Sequence, residues 1–216
     1  MIAWSYSKLK GYESCPRRYH EVTILKNFVE DTEALTEGNE VHKALARSIQ
    51  TGEPLPEPMA EYGRYVDALR GGPGAIFVEQ QYAVTKEFKP TKWFGRDVWF
   101  RTVVDALRVD GPVAHAVDWK TGKMRNVDVV QLMLVATAVF AHFPDVRKCR
   151  TDFVWLKEDT TTTEDYDRRQ MMDPWVELMP RVDTFVKASE EKNFPPKPGF
   201  LCKNWCPVSS CQYHGK

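Results

Sequence analysis

The stretch VAHAVDWKTGK, from Val113 to Lys123, is an apolar run that carries Asp118 and Lys120 two residues apart and stops at Thr-Gly. On a β-strand, residues i and i+2 share a face, so this spacing stands a carboxylate beside an ammonium at a strand end. A second run upstream, WFRTVVDALRV, carries Asp105. Two strands that each bring one Asp to a common point, with a Lys beside them, suit metal-assisted phosphodiester hydrolysis. The carboxylates are hard ligands for Mg²⁺ or Mn²⁺, the Trp119 carbonyl offers a further oxygen, and Lys120 orients a water or offsets charge on a phosphate.

Three more residues bear on that chemistry. His42, in EGNEVHKAL, reads by itself as a solvated or core-edge histidine; as a third metal ligand it suits Mn²⁺ somewhat better than Mg²⁺. Glu79, in IFVEQQY, reads as a rim carboxylate, with membership of the acidic site as the alternative. Gln131 is the one strongly polar side chain in the apolar run Val129 to Phe140, and a buried amide needs partners, either backbone or the site itself.

The elements that must position these residues follow from periodicity. Ser5 to Tyr19 predicts a short helix ending before Pro16, and Leu35 to Gln50 predicts a helix with Val41, Leu45 and Ile49 on one face. A GEPLPEP loop precedes a third helix over Met59 to Leu69, and GGPG at 71–74 is a turn. Ala75 to Val84 and Val98 to Val109 read as strands, with Asp110-Gly111 as a hairpin turn into Val113 to Trp119. Val127 to Phe143 is too long and apolar for a strand and reads as a buried helix; Thr151 to Lys157 is a strand, and Asp159 to Asp167 a polar, Thr-rich loop. Trp175 to Lys192 is an amphipathic helix, and the tail from Phe194 has no element period. This order is that of an α/β domain with a mixed sheet flanked by helices.

The 216 residues allow one sizeable core, or one core with a small appended subdomain, and their 43% apolar and 28% charged content is that of an ordinary globular chain. Lys and Arg together balance Asp and Glu at 30 each, so any pull on nucleic acid must be local. No apolar stretch reaches membrane-spanning length and MIAWSYSKLKGYESC has no signal-like core, which predicts a cytoplasmic protein without a membrane partner. Basic residues gather near the amino terminus (Lys8, Lys10, Arg17, Arg18), between the first two long strands (Lys86, Lys89, Lys92, Arg96) and beside the site (Lys120, Lys123, Arg125). The middle group interleaves with Phe88, Trp93 and Phe94, a pattern suited to single-stranded nucleic acid, although any one Lys reads better as an ordinary solvated charge. Lys92, Trp93, Arg96 and Lys123 are the candidate DNA contacts. No G-x-x-x-x-G-K-[ST] motor motif is present, so unwinding would fall to a helicase or recombination partner.

Four of five cysteines crowd the two ends. The tail reads FLCKNWCPVSSCQYHGK, and Cys15 precedes Pro16 as Cys206 precedes Pro207. Cys15, Cys202, Cys206 and Cys211 would suit a [4Fe–4S] cluster; Cys202, Cys206, Cys211 and His214 would suit zinc, and spacing does not decide. Cys149, without cysteine neighbours, reads as a packed thiol.

Taken in order, SYSKLKGYESCPRRYHE, the G-x-x-x-H-x-x-L of Gly38, His42 and Leu45, Asp105, VDWKTGK, QLMLVATAV and the terminal cysteines resemble the RecB-like branch of the PD-(D/E)XK nuclease superfamily, in particular the AddB-type and CRISPR-associated nucleases with an iron–sulfur cluster. The resemblance spans nearly the whole chain. It implies a restriction-endonuclease-like fold in a single nuclease domain over 1–216, with 1–30 and 194–216 joined at the cysteine cluster. It implies metal on His42, Asp105 and Asp118, assistance from Lys120 and Gln131, and the iron–sulfur set of Cys15, Cys202, Cys206 and Cys211. Two positions depart from the family pattern: Thr102 stands where a small Gly is common, and Val135 replaces the Tyr of Q-x-x-x-Y. The expected function is a metal-dependent DNA exonuclease preferring single strands, with a non-catalytic DNA-binding or assembly subunit as the alternative.

Overall fold

The computed structural model describes residues 2–29, 33–125 and 127–216. Met1 and Glu30, at the bounds of the expected amino-terminal segment, lie outside that set. The helices are α1 (Tyr6–Ser14), α2 (Pro16–Tyr19), α3 (Glu33–Thr51), α4 (Gly63–Arg70), α5 (Val130–His142), α6 (Asp173–Glu190) and α7 (Leu201–Asn204). The strands are β1 (Ala75–Val84), β2 (Pro90–Thr91), β3 (Phe100–Asp110), β4 (Val113–Lys120), β5 (Lys148–Trp155) and β6 (Thr160–Asp167). They form one sheet in the order β2-β1-β3-β4-β5-β6. All neighbours run antiparallel except β4 and β5, whose parallel pairing needs the crossover that α5 supplies. The mixed sheet flanked by helices is the architecture the sequence predicts.

Each face of the sheet has its own core. On one, Val41, Leu45 and Ile49 of α3 and Val66 and Leu69 of α4 bury against Val78, Ala106, Val117 and Trp119. On the other, α5 and α6 pack with Leu107, Ala114, Ala116 and an aromatic group of Trp4, Trp99, Phe100 and Trp175. In α5 the residues Leu132 to Phe140 are all buried, which explains a helix with no polar stripe. Gly111, at φ +52°, takes the left-handed turn between β3 and β4. No helix among the described residues is long and apolar enough to cross a membrane.

Three elements differ from expectation. The helix from Ser5 ends at Ser14 as predicted, but the chain re-enters a helix at once, with Pro16 in its first turn where a missing N–H costs nothing. The third helix begins only at Gly63, after a 3₁₀ segment over Glu57–Tyr62. The Thr-rich segment expected to be a loop is β6, paired with β5 along its length. Its polarity suits an edge strand, and runs of Thr favour extended backbone.

A polar cluster stitches β6 to its neighbours. Asp152 Oδ2 lies 2.6 Å from His115 Nε2 on β4, and Asp152 Oδ1 accepts from Thr163 Oγ1 at 2.7 Å and from Arg150 Nε at 3.3 Å. Burial alone would raise the Asp152 carboxyl; the hydrogen bonds from His115 and Thr163 and the charges of His115 and Arg150 outweigh it and hold the group below the usual carboxylate range. A depressed folded value gives stability that is present above the unfolded value of about 3.9 and is lost as pH falls through the folded one. Asp152→Asn is therefore expected to lower unfolding stability by about 1–2 kcal/mol at pH 7. The gap to wild type should narrow as pH drops below about 4, as read by urea denaturation at several pH values.

Candidate active site

The site forms where two strands stop pairing. β3 and β4 are laddered from Asp110↔Val113 to Ala106↔Val117, and no further. One more step in the same register would set Asp105 opposite Asp118. On the other side of β3, the constant register with β1 sets Glu79 opposite Asp105, between the pairs Val78↔Ala106 and Gln80↔Val104. Glu79, Asp105 and Asp118 thus form a row across three strands. At the opening, Asp105 Oδ2 accepts the backbone N–H of Trp119 at 2.9 Å, so a side chain satisfies a donor the ladder has released.

α3 brings His42 to this row. Gly38, one turn earlier, lets the helix approach the turn after β4: a Cβ there would meet Thr121 Oγ1 at 3.1 Å. His42 Nδ1 then lies 3.3 Å from Asp105 Oδ2. Ligand atoms of His42, Glu79 and Asp105 all fall within 4.8 Å of one another. Glu79 holds φ +52°, a left-handed backbone rare within a strand.

Asp118 is held differently. Its Oδ2 is 2.7 Å from Lys120 Nζ, and its Oδ1 accepts a short hydrogen bond from Gln131 Nε2. Gln131 Oε1 in turn accepts from Lys120 Nζ at 2.9 Å, and the ammonium lies 4.4 Å from the centre of the Phe153 ring. Gln131, in the first turn of α5, therefore serves the site rather than the backbone. Val135, one turn on, is buried in the core.

Electrostatics reflect the crowding. Burial opposes charge on His42, but its hydrogen bond to Asp105 and the charges of Asp105, Asp118 and Glu79 raise its pKa overall. Burial and then the charge of Asp105 raise Glu79, against the pull of His42. Burial pushes Asp118 up, opposed by Lys120 and reinforced by Asp105. Carboxylate oxygens and an imidazole with more negative than positive charge among them fit a hard divalent cation such as Mg²⁺ or Mn²⁺.

His42, Asp105, Asp118, Lys120 and Gln131 line one cleft of about 710 Å³ with Trp93, as the sequence leads one to expect. Lys92, Arg96 and Lys123 are exposed and are not among its lining residues. The tight ligand group contains Glu79, the residue its sequence context places on the rim, in place of Asp118. The cleft is also lined by Lys8 and Arg101. The signal for Glu79 was an acid inside an apolar strand; Arg101 gave none, since its strand neighbours are unremarkable.

Away from the cleft, Cys15, Cys202, Cys206 and Cys211 line a second, small cavity with Arg17, Arg18, Lys197 and His214. The tail is fastened there by Arg17 N–H to Pro195 O at 3.2 Å, by Lys197 N–H to Cys15 Sγ at 3.4 Å, and by the stacking of His20 on Phe194 at 4.5 Å. Among the described residues no three of these sulfurs lie within 4.8 Å of one another. Arg17 Nε is buried there without an acceptor. Cys149 is apart, fully buried in the core, and burial pushes its thiol up.

The profile of the PD-(D/E)XK nuclease superfamily matches residues 3–212, and the chain belongs to that superfamily. Among solved structures it is similar to a protein from Eubacterium rectale named as a candidate exonuclease, at 9% identity and TM-score 0.55, over 94% of this chain and 86% of that one. It also aligns with SSO0001 at 11% identity and TM-score 0.39, over 95% of this chain and 92% of that one. No curated protein sequence matches. The first similarity supports the fold; the activity rests on the superfamily and the site.

The charge row has a measurable consequence. Glu79→Gln should raise the melting temperature of the metal-free protein by about 2 °C, because it removes one repelling carboxylate. The same variant should gain less than wild type on addition of Mn²⁺, because it removes a ligand. Differential scanning calorimetry with EDTA and with Mn²⁺ checks both signs.

Proposed function

We propose that this chain is a divalent-metal-dependent deoxyribonuclease, an exonuclease that prefers single strands. The observation that carries the reading is the Asp118–Lys120–Gln131 hydrogen-bond triangle, standing in one cleft with His42 and Asp105. His42, Asp105 and Asp118 would hold Mg²⁺ or Mn²⁺, with Glu79 as a further donor. When bound, such a cation polarises a phosphate and lowers the pKa of a bound water.

The protein's own residues supply the rest. Lys120 points its ammonium into the cleft, where it orients water and offsets charge gathering on the phosphate oxygens. Gln131 fixes the rotamers of both Asp118 and Lys120, since it bonds each of them. Trp119 N–H and His42 hold the Asp105 carboxylate in one orientation. Water adds to phosphorus, the ester P–O bond breaks, and the leaving oxygen takes a proton from solvent in the open cleft. The preference for single strands is supported by Trp93 in the cleft wall and by Phe94, 87% exposed beside it. The superfamily supports a nuclease, and the E. rectale relative's name is what favours one that works from ends. We take it to act in the cytoplasm, with duplex unwinding left to a helicase or recombination partner.

The cysteine cavity is part of this proposal. A [4Fe–4S] cluster on Cys15, Cys202, Cys206 and Cys211 would join segments 1–30 and 194–216 as a structural staple of the single nuclease domain. An anionic thiolate cluster suits a cavity lined by Arg17, Arg18 and Lys197.

Digestion of end-labelled single- and double-stranded DNA with Mg²⁺ or Mn²⁺ tests the activity. Lys120→Ala and Asp118→Ala should each lower kcat by about a hundredfold or more, with mononucleotide products in wild type. Full activity in Asp118→Ala would refute the catalytic assignment. Wild-type protein that binds DNA and leaves it intact would instead identify a non-catalytic subunit, the reading to which Val135 lends its weight. Anaerobically purified protein should carry about four irons per chain, lost in Cys206→Ser; zinc without iron would decide for the zinc alternative.

A further inference from the structure

The cleft has a second end. As β4 turns away, it leaves the β3 edge from Phe100 to Asp105 unladdered on that side. The amino-terminal segment takes up the last of that edge: Trp4 bridges Phe100 in parallel, with Trp4 N–H on Trp99 O at 3.0 Å and Arg101 N–H on Trp4 O at 2.9 Å. This threading brings the first turn of α1 against Arg101, and Ser5, Ser7, Lys8, Trp93 and Arg101 line this end of the cleft.

Two cations meet there without a carboxylate. Among the described residues Lys8 Nζ donates only to Ala3 O, at 3.0 Å. Arg101 donates Nε to Trp93 O at 2.7 Å, and neither Nη group has a protein acceptor among the described residues. Its guanidinium lies 5.4 Å from the Trp93 ring centre and 5.8 Å from that of Phe94. Among the described residues neither cation is in an ion pair, and α1 has no acidic residue in its first turn. Burial, and then the charge of Arg101, lower the pKa of Lys8. Adjacent like charges turned into a cleft cost stability unless an anion joins them.

We propose that Lys8 and Arg101 form a phosphate-holding subsite for a nucleic-acid strand whose scissile bond lies at Lys120, with Trp93 and Phe94 as the platform for one of its bases. The inference rests on the nuclease reading of this cleft and adds to it where the uncut part of the strand is gripped. Arg101 and Asp105 are four residues apart on extended chain, roughly 13 Å, a span of no more than about four nucleotides. The ligand is therefore a short single-stranded run of phosphodiester, with its phosphates on the cations and an unstacked base on the aromatics. A duplex cannot present that base, so this end of the cleft would set the strand preference. The residues that matter are then Lys8 and Arg101, rather than the outward-facing Lys92, Arg96 and Lys123.

The test is binding of fluorescein-labelled (dT)₂, (dT)₆ and (dT)₁₂ by anisotropy over a range of salt, with Ca²⁺ replacing Mg²⁺ to suppress hydrolysis. Lys8→Gln should weaken (dT)₁₂ about tenfold and reduce the slope of log K against log salt by about 0.7, the release of one phosphate contact. It should also shrink the gain in affinity from (dT)₂ to (dT)₆, and Lys8→Arg should restore both. Trp93→Ala should weaken (dT)₁₂ about tenfold with no change in slope. Lys187→Gln, the same charge change on the exposed face of α6, is the control. Wild-type affinity and slope in Lys8→Gln, or an equal loss in the control, overturns the subsite, and this holds even where Arg101 variants fail to fold. Cleavage of labelled (dT)₁₂ by wild type with Mn²⁺ is scored separately: its absence counts against the nuclease reading and leaves the binding result standing.

Discussion

Three carboxylates in a row across neighbouring strands repel one another, and much of the local structure answers that repulsion. Two unit charges at 4.8 Å, the limit of separation in the His42–Glu79–Asp105 group, interact by about 3 kcal/mol at an effective dielectric near 20, and by less for half-exposed Glu79. The protein meets the cost with positive or polar groups at Asp105 and Asp118. His42 faces Asp105, Lys120 and Gln131 clamp Asp118, and Trp119 lends Asp105 a backbone N–H. Parting β3 from β4 at this row frees the Trp119 N–H for Asp105 and sets both acids in the wall of the cleft. A sheet that stayed zipped would have set Asp105 and Asp118 directly opposite each other.

The helices can be understood from that opening. α3 is amphipathic because it lays Val41, Leu45 and Ile49 on the sheet, and the same rotation turns His42 toward the row. Gly38 sets how close the helix comes. α5 is apolar on all sides because it is the buried crossover between the parallel strands, so its one strong polar residue must meet a polar partner, and its first turn lies over the end of β4. The amino-terminal segment fills the edge of β3 that β4 vacates. It is pinned by the Trp4, Trp99, Phe100 and Trp175 rings, whose centres lie 5.0 to 6.2 Å apart.

What could be read from the sequence follows from range. Strand period, a buried apolar helix and a turn glycine are local, so β1, the β3–β4 hairpin and α5 were legible within a residue or two at most boundaries. Asp118 and Lys120 were legible because i and i+2 on one strand is also local. β6 was not, because an edge strand owes its pairing to β5 and shows only polarity in its own letters. Glu79 was not, because its place opposite Asp105 depends on the β1–β3 register and on a left-handed backbone that no residue type announces. Arg101 and Lys8 meet only through Trp4, nearly a hundred residues away in sequence from Phe100, and the short ladder between them has no periodic trace. Motif order across the whole chain carried what single spacings could not, since it sets several distant residues into one arrangement at once.

The even balance of 30 basic and 30 acidic residues hides a separation of charge along this one cleft. Acids gather where β3 and β4 part, and two cations without acids gather where Trp4 closes the gap. A nucleic-acid strand is uniformly negative, so such a groove cannot hold it uniformly. Without a divalent cation the acidic end repels the phosphate that the cationic end attracts; with one, both ends attract. Metal and strand would therefore favour each other's binding, a linkage that requires no movement of the protein. The same asymmetry would give a neutral protein a directed hold on a polyanion: the pull would come from where two charges are placed, and the total charge would contribute nothing.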